Sequence, residues 1–153
     1  MGVIADRIAA ARRGANPNVI ALLKSGWAVM GDQQFLRGYC VLLADPQVAT
    51  LNDLDDDGRR AFLDDMVALG DAVLASTRTN GVIRINYSIY GNLEPQLHAH
   101  VFPRYQDEPE EFRTKPPFLY PQATLSSRLF DPERDRTLMR SIKGELERLG
   151  RVE

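Results

Sequence analysis

Cysteine, histidine and tryptophan are scarce in this chain, with one, two and one among 153 residues. A single thiol closes no internal disulfide, and Cys40, inside the apolar run YCVLLA, reads as a small buried hydrophobe in a reducing compartment. No apolar run approaches the ~20 residues that a membrane helix requires, so no membrane partner is expected. The stretch MGVIADRIAAARR lacks the apolar h-region of a signal peptide, and a cytoplasmic location is expected. An excess of one charge is missing too. The 19 basic and 21 acidic residues leave a formal net charge of −2, which argues against nucleic acid as the main partner. Any anion has to be captured locally.

What is present fits one α+β domain over residues 1–153, since 44% of residues are hydrophobic and 26% charged, within the range of an ordinary globular chain. Ile4, Ile8 and Ala11 recur at helical spacing and predict a helix over 3–13. Asn16-Pro17 reads as an N-cap and first-turn pair opening a second short helix through NVIALLKS, ended by Gly26. WAVM and GYCVLLA predict two strands across the loop GDQQFLR, closed by Asp45-Pro46. Phe62, Met66, Leu69 and Val73 then form the stripe of a long central helix, with aspartates crowded into its first turn. Thr79-Asn80-Gly81 turns into the strand VIRINYSI, and the loop YGNLEP leads into QLHAHVFPR. These strands predict one antiparallel sheet. The runs YQDEPEEF and KPPFLYP read as irregular, and Asp131-Pro132-Glu133 opens a last helix with Leu138, Ile142, Leu146 and Leu149 on one side. The core thus spans about 26–104, with N-terminal helices in 3–25 and an irregular segment and helix in 105–153.

Both histidines lie in QLHAHVFPR. Side chains alternate along a strand, so Leu97, Ala99 and Val101 share the core face, while Gln96, His98, His100 and Phe102 share the other. Three uses of such a row compete. The imidazoles can be solvated sheet residues; they can ligate zinc or iron, although no third ligand stands at a recognisable spacing; or one can be a nucleophile while the other binds or protonates a leaving group. Histidine suits the last use because its ordinary pKa near ~6.5 leaves it largely neutral at cytoplasmic pH. Arg104 reads as a solvated strand end outside the site.

The run Gln96-Leu97-His98-Ala99-His100-Val101-Phe102-Pro103-Arg104 resembles the signature of the histidine triad superfamily, in which His alternates three times with hydrophobic residues. The order of hairpin, long helix, Asn-bearing strand and His strand over 26–104 is similar to that family as well. The resemblance implies a histidine-triad-like fold with an antiparallel sheet of four to five strands, a long central helix and extra N- and C-terminal helices. It also implies a homodimer acting on a purine nucleotide conjugate, cleaved at its α-phosphate. His98 then matches the nucleophile that forms a nucleotidyl-histidine, and His100 the partner at the phosphate and leaving group. Asn86 and Asn92 match phosphate-binding amides, and Asp32 lies close to the residue that holds the ribose hydroxyls. No cofactor is required by that chemistry and no metal site is expected, although a divalent cation can accompany a polyphosphate substrate.

Two positions depart from the family. Gln96 replaces the first signature histidine, and Arg37-Gly38-Tyr39 stands where Pro-Gly-His is common. A paired change is expected, with the Tyr39 hydroxyl and the Gln96 amide taking over an imidazole contact. The leading expectation is a nucleotidyl hydrolase or transferase for a dinucleoside polyphosphate or phosphoramidate type of substrate. A nucleotide-binding sensor with little turnover is the alternative from another class.

Overall fold

The computed structural model describes residues 2–153. It contains a five-stranded sheet in the order β1-β2-β3-β5-β4, every neighbouring pair antiparallel. The strands are β1 (Val19–Leu23), β2 (Gly26–Met30), β3 (Cys40–Ala44), β4 (Val82–Ser88) and β5 (His98–Tyr105). The helices are α1 (Val3–Arg12), α2 (Asp56–Thr77) and α5 (Arg136–Arg148), with two single turns, α3 (Glu110–Arg113) and α4 (Gln122–Leu125), between β5 and α5. The α+β architecture expected from the sequence is the one observed.

One N-terminal element differs. Residues 19–23 form a strand, and the second helix expected over NVIALLKS does not exist. Asn16 is no N-cap: its side-chain oxygen accepts from Asn18 N at 3.0 Å, closing a local turn. Asn18 then donates to the Met30 carbonyl at 2.9 Å. The run VIALL suits helix and strand alike, and pairing with β2 decides between them. Gly26 therefore starts β2 instead of ending a helix. Its φ of +152° and the Leu43 carbonyl, 1.9 Å from where a Cβ would stand, exclude any side chain there.

Alternation along the strands divides the interior in two. Cys40, Leu42, Leu97, Ala99 and Val101 face the larger core, which Phe62, Leu69 and Val73 of α2 and Leu138, Ile142 and Leu146 of α5 cover. Val29, Val41, Leu43 and Phe102 face the opposite side, where Ile8 of α1 packs with Tyr39 and Tyr105. The last helix starts at Arg136, a few residues beyond Asp131, whose carboxylate instead accepts from Glu133 N and Arg134 N in the preceding turn. Among the described residues no helix is long and apolar enough to cross a membrane.

Candidate active site

β5, flanked by β3 and β4, carries the histidines on the side away from α2. His98 lies opposite Leu43 of β3, and His100 lies between Val41 of β3 and Ser88 of β4. The two imidazole centroids are 4.9 Å apart with their planes at 79°.

Their hydrogen bonds place the protons differently. His98 Nδ1 lies 2.6 Å from the main-chain carbonyl of Gln96. A carbonyl only accepts, so Nδ1 carries the proton and the neutral ring keeps its lone pair on Nε2. His100 Nδ1 lies 2.7 Å from the Tyr39 hydroxyl. Burial raises the Tyr39 pKa, so the phenol stays protonated and donates, which leaves the His100 proton on Nε2. Desolvation, and secondarily the neighbouring His98, lowers the His100 pKa to about 4. Side by side, the row thus offers one bare ring nitrogen and one N–H.

The replacements at 39 and 96 differ in what they touch. Tyr39 meets His100 through its hydroxyl and stacks on Phe102 at 3.8 Å between centroids. Gln96 holds His98 through its backbone, and among the described residues its buried side-chain Oε1 has no hydrogen-bond partner. Asn86 faces the same side as the row, opposite Phe102. Asn92 is exposed on the loop before β5, and no side-chain hydrogen bond ties it to either histidine. That loop is anchored by Glu94, whose carboxylate accepts from Ile4 N and Ala5 N at 3.0–3.3 Å and so caps α1.

Asp32 lies in a separate pocket of about 620 Å³, on the β3 side of His100, with Arg7, Asn18, Tyr39, Leu129 and Phe130. Arg7 of α1 pairs with the Asp32 carboxylate through both guanidinium ends. Leu129 and Phe130 come from a C-terminal segment that returns to bond the 32–34 backbone, a neighbour the sequence did not announce. Across the row, Phe118 stands edge-on to His100 at 5.1 Å. The proline-rich segment therefore covers the site of its own chain.

Arg104 is not a solvated strand end. It is 3% exposed and paired with Glu108 at 2.9 Å. Its remaining N–H groups donate to Asn86 Oδ1 at 2.8 Å and to the carbonyls of Phe112 and Lys115 at 2.9 and 2.7 Å. Because Arg104 occupies the Asn86 oxygen, the Asn86 NH₂ remains as a donor. The signal was available: 98, 100, 102 and 104 are alternate positions of β5, so Arg104 shares the face of the histidines. Among the described residues no group of three or more His, Cys, Asp or Glu could hold a metal ion.

No family model and no curated protein matches the sequence. Solved structures do match. A histidine triad protein from Sinorhizobium meliloti superposes with a TM-score of 0.70 at 18% identity, covering 84% of this chain and 88% of that one. One from Marinobacter aquaeolei gives 0.69 at 17% identity, covering 86% and 89%. A hypothetical histidine triad nucleotide-binding protein from Sulfolobus tokodaii gives 0.70 at 12%, covering 94% and 93%. The chain shares their fold over most of its length.

Two outcomes follow from this geometry. Arg104→Met leaves the Glu108 carboxylate buried without its partner and is expected to cost about 3–5 kcal/mol in denaturant unfolding, part of it recovered by adding Glu108→Gln. Additive losses in the double variant would contradict the pairing. His100 binds no proton in the folded state until pH nears 4, whereas the unfolded chain binds one from about 6.5. Its contribution to stability is therefore complete above pH 6.5 and declines as pH falls toward 4. Subtracting the stability of His100→Gln from wild type at stepped pH isolates this decline, and a flat difference would show that the imidazole is not desolvated.

Proposed function

We propose that the protein is a nucleotidyl hydrolase or transferase that cleaves a nucleotide conjugate at its α-phosphate. The observation that carries this reading is the pair of opposite tautomers. His98 Nε2 has the lone pair needed to attack phosphorus, and His100 offers an N–H within the same row.

In this reading the His98 nitrogen forms a bond to the α-phosphorus while the bond to the leaving group breaks, its electron pair going to the leaving atom. The phosphoryl oxygens gather charge in that transition state, and His100 Nε2–H and the Asn86 amide donate to them. Water then attacks the phosphorus of the nucleotidyl-histidine and gives up a proton to solvent, while the P–N bond breaks and its electron pair returns to His98 Nε2. Asn92 donates from its loop when a phosphate enters, and Asp32 binds the ribose hydroxyls after exchanging part of its contact with Arg7. Tyr39 and the Gln96 carbonyl set the two rings without touching phosphorus. A purine base fits beside Leu129 and Phe130. No cofactor enters these steps, and a divalent ion can travel with a polyphosphate substrate.

The unpartnered Gln96 Oε1 favours a second reading, a nucleotide-binding module with little turnover, because an imidazole is absent from that position. One experiment separates the two. In an acid-quenched single turnover with α-labelled substrate, wild type is expected to carry label on His98, while His98→Ala carries none. His100→Ala is expected to keep a trappable intermediate formed about 10²–10³-fold more slowly, as for loss of one transition-state donor. Binding without any labelled protein would favour the module, and label on His100 would reverse the assignments.

The reading includes a homodimer. β4 is an edge strand, and Ile83 and Tyr87 on it are 42% and 38% exposed. Leu63 and Val67 of α2, also exposed, extend the apolar surface, since α2 abuts Tyr87 at Gly70. An open apolar edge is a template for a second strand. Light scattering is expected to give twice the chain mass, and Ile83→Lys to shift it toward the monomer; a monomer at all concentrations would rule the dimer out.

A further inference from the structure

Ser88 is the last residue of β4 and lies directly opposite His100 of β5. Opposed residues of an antiparallel pair share a face, so its side chain stands beside the histidine row. Among the described residues the Ser88 hydroxyl makes no hydrogen bond, and it lines a groove of about 710 Å³ between β4 and the 113–117 segment. Arg84, Arg113 and Lys115 make that groove cationic, and no carboxylate lines it. A potential of that sign favours an anion, to which a free hydroxyl can donate.

The strand register ranks the donors of β4 by their distance from His98. Paired with His100, Ser88 stands two residues along the row from His98, and Asn86, paired with Phe102, stands four. At the rise of a strand these offsets are about 7 and 13 Å. Asn86 is also restrained, because Arg104 holds its Oδ1 at 2.8 Å. Ser88 is therefore the β4 donor nearest the reacting centre. The opposite flank is different in kind: on the β3 side His100 is paired with Val41, whose side chain offers no donor.

We infer that Ser88 is a further catalytic residue, donating its hydroxyl proton to the one non-bridging oxygen of the α-phosphate that is turned toward β4. Contact with phosphate stands on the register and the free hydroxyl, and its part in catalysis rests on the nucleotidyl-transfer reading. A hydroxyl has a single proton, so it serves one of the two prochiral oxygens and leaves the other to His100. That oxygen gathers charge as His98 attacks, and the hydrogen bond strengthens in the transition state. The site thereby tells the two non-bridging oxygens apart, and Ser88 sets part of the distinction.

The test is stereochemical. Single-turnover rates are measured for the two α-phosphorothioate diastereomers of one nucleotide conjugate with wild type, Ser88→Ala and Ser88→Thr. Sulfur accepts a hydrogen bond poorly, so Ser88→Ala is expected to slow chiefly the diastereomer that keeps oxygen toward β4, and to shift the rate ratio of the pair about tenfold. Ser88→Thr keeps the hydroxyl on a side chain suited to a strand and is expected to restore the ratio. A disturbance of the sheet alone would slow both diastereomers alike. A second arm needs no turnover: a nucleoside 5′-monophosphate and the unphosphorylated nucleoside are titrated calorimetrically onto each protein. Ser88→Ala is expected to weaken the monophosphate about three- to tenfold and to leave the nucleoside unchanged. An unchanged ratio, or in the absence of turnover an unchanged monophosphate affinity, overturns the inference. Monophosphate binding that depends on Ser88, in a protein that turns over neither diastereomer, supports the phosphate contact and refutes the nucleotidyl-transfer reading instead.

Discussion

A buried guanidinium holds the histidine-bearing half of this molecule together. Arg104 joins β5 to β4 through Asn86, and to the following segment through Glu108 and three carbonyls. Glu108 in turn accepts from Tyr105 N and the Tyr120 hydroxyl. Burying such a pair is favourable only when every donor and lone pair is met, and here the backbone of a proline-rich segment supplies what side chains do not. The segment is thereby fixed across the sheet, which puts Phe118 beside His100 and raises one wall of the cationic groove.

The sheet supplies a second constraint. β5 is flanked on both sides, so its alternation sends Leu97, Ala99 and Val101 into the main core and the histidines to the opposite face. One residue of slippage would bury the imidazoles under α2 and expose the aliphatic row. Held in that register, the two rings differ because their second partners differ. A carbonyl can only receive a proton and a buried phenol keeps its own. Two chemically identical side chains thus acquire opposite hydrogen-bonding faces without any charged residue between them.

α1 links the remaining parts. Its N-terminus is met by Glu94 from the loop before β5, and its Arg7 meets Asp32 in the far pocket. A short helix with little amphipathic character of its own therefore connects the loop ahead of the histidines to the pocket proposed for the nucleoside. Its fixed point in the interior is Ile8, fully buried against the sheet.

Local pattern alone determined a good deal of this protein. The stripe Phe62, Met66, Leu69, Val73 and the alternation of QLHAHVF are set by which face must leave water, and both elements stand where the pattern put them. The placement of His98, His100 and Phe102 on one face was legible for the same reason. Residues 19–23 were not, because VIALL satisfies either period and only β2, pairing alongside, selects the strand. Arg104 was misjudged from its position at a strand end, since its burial depends on carbonyls 8 and 11 residues later folding back over it. The tautomers, the Phe118 contact and the groove arise the same way. They require atoms distant in sequence to meet within hydrogen-bonding or van der Waals range, and that distance is decided by packing, which no local run of residues encodes.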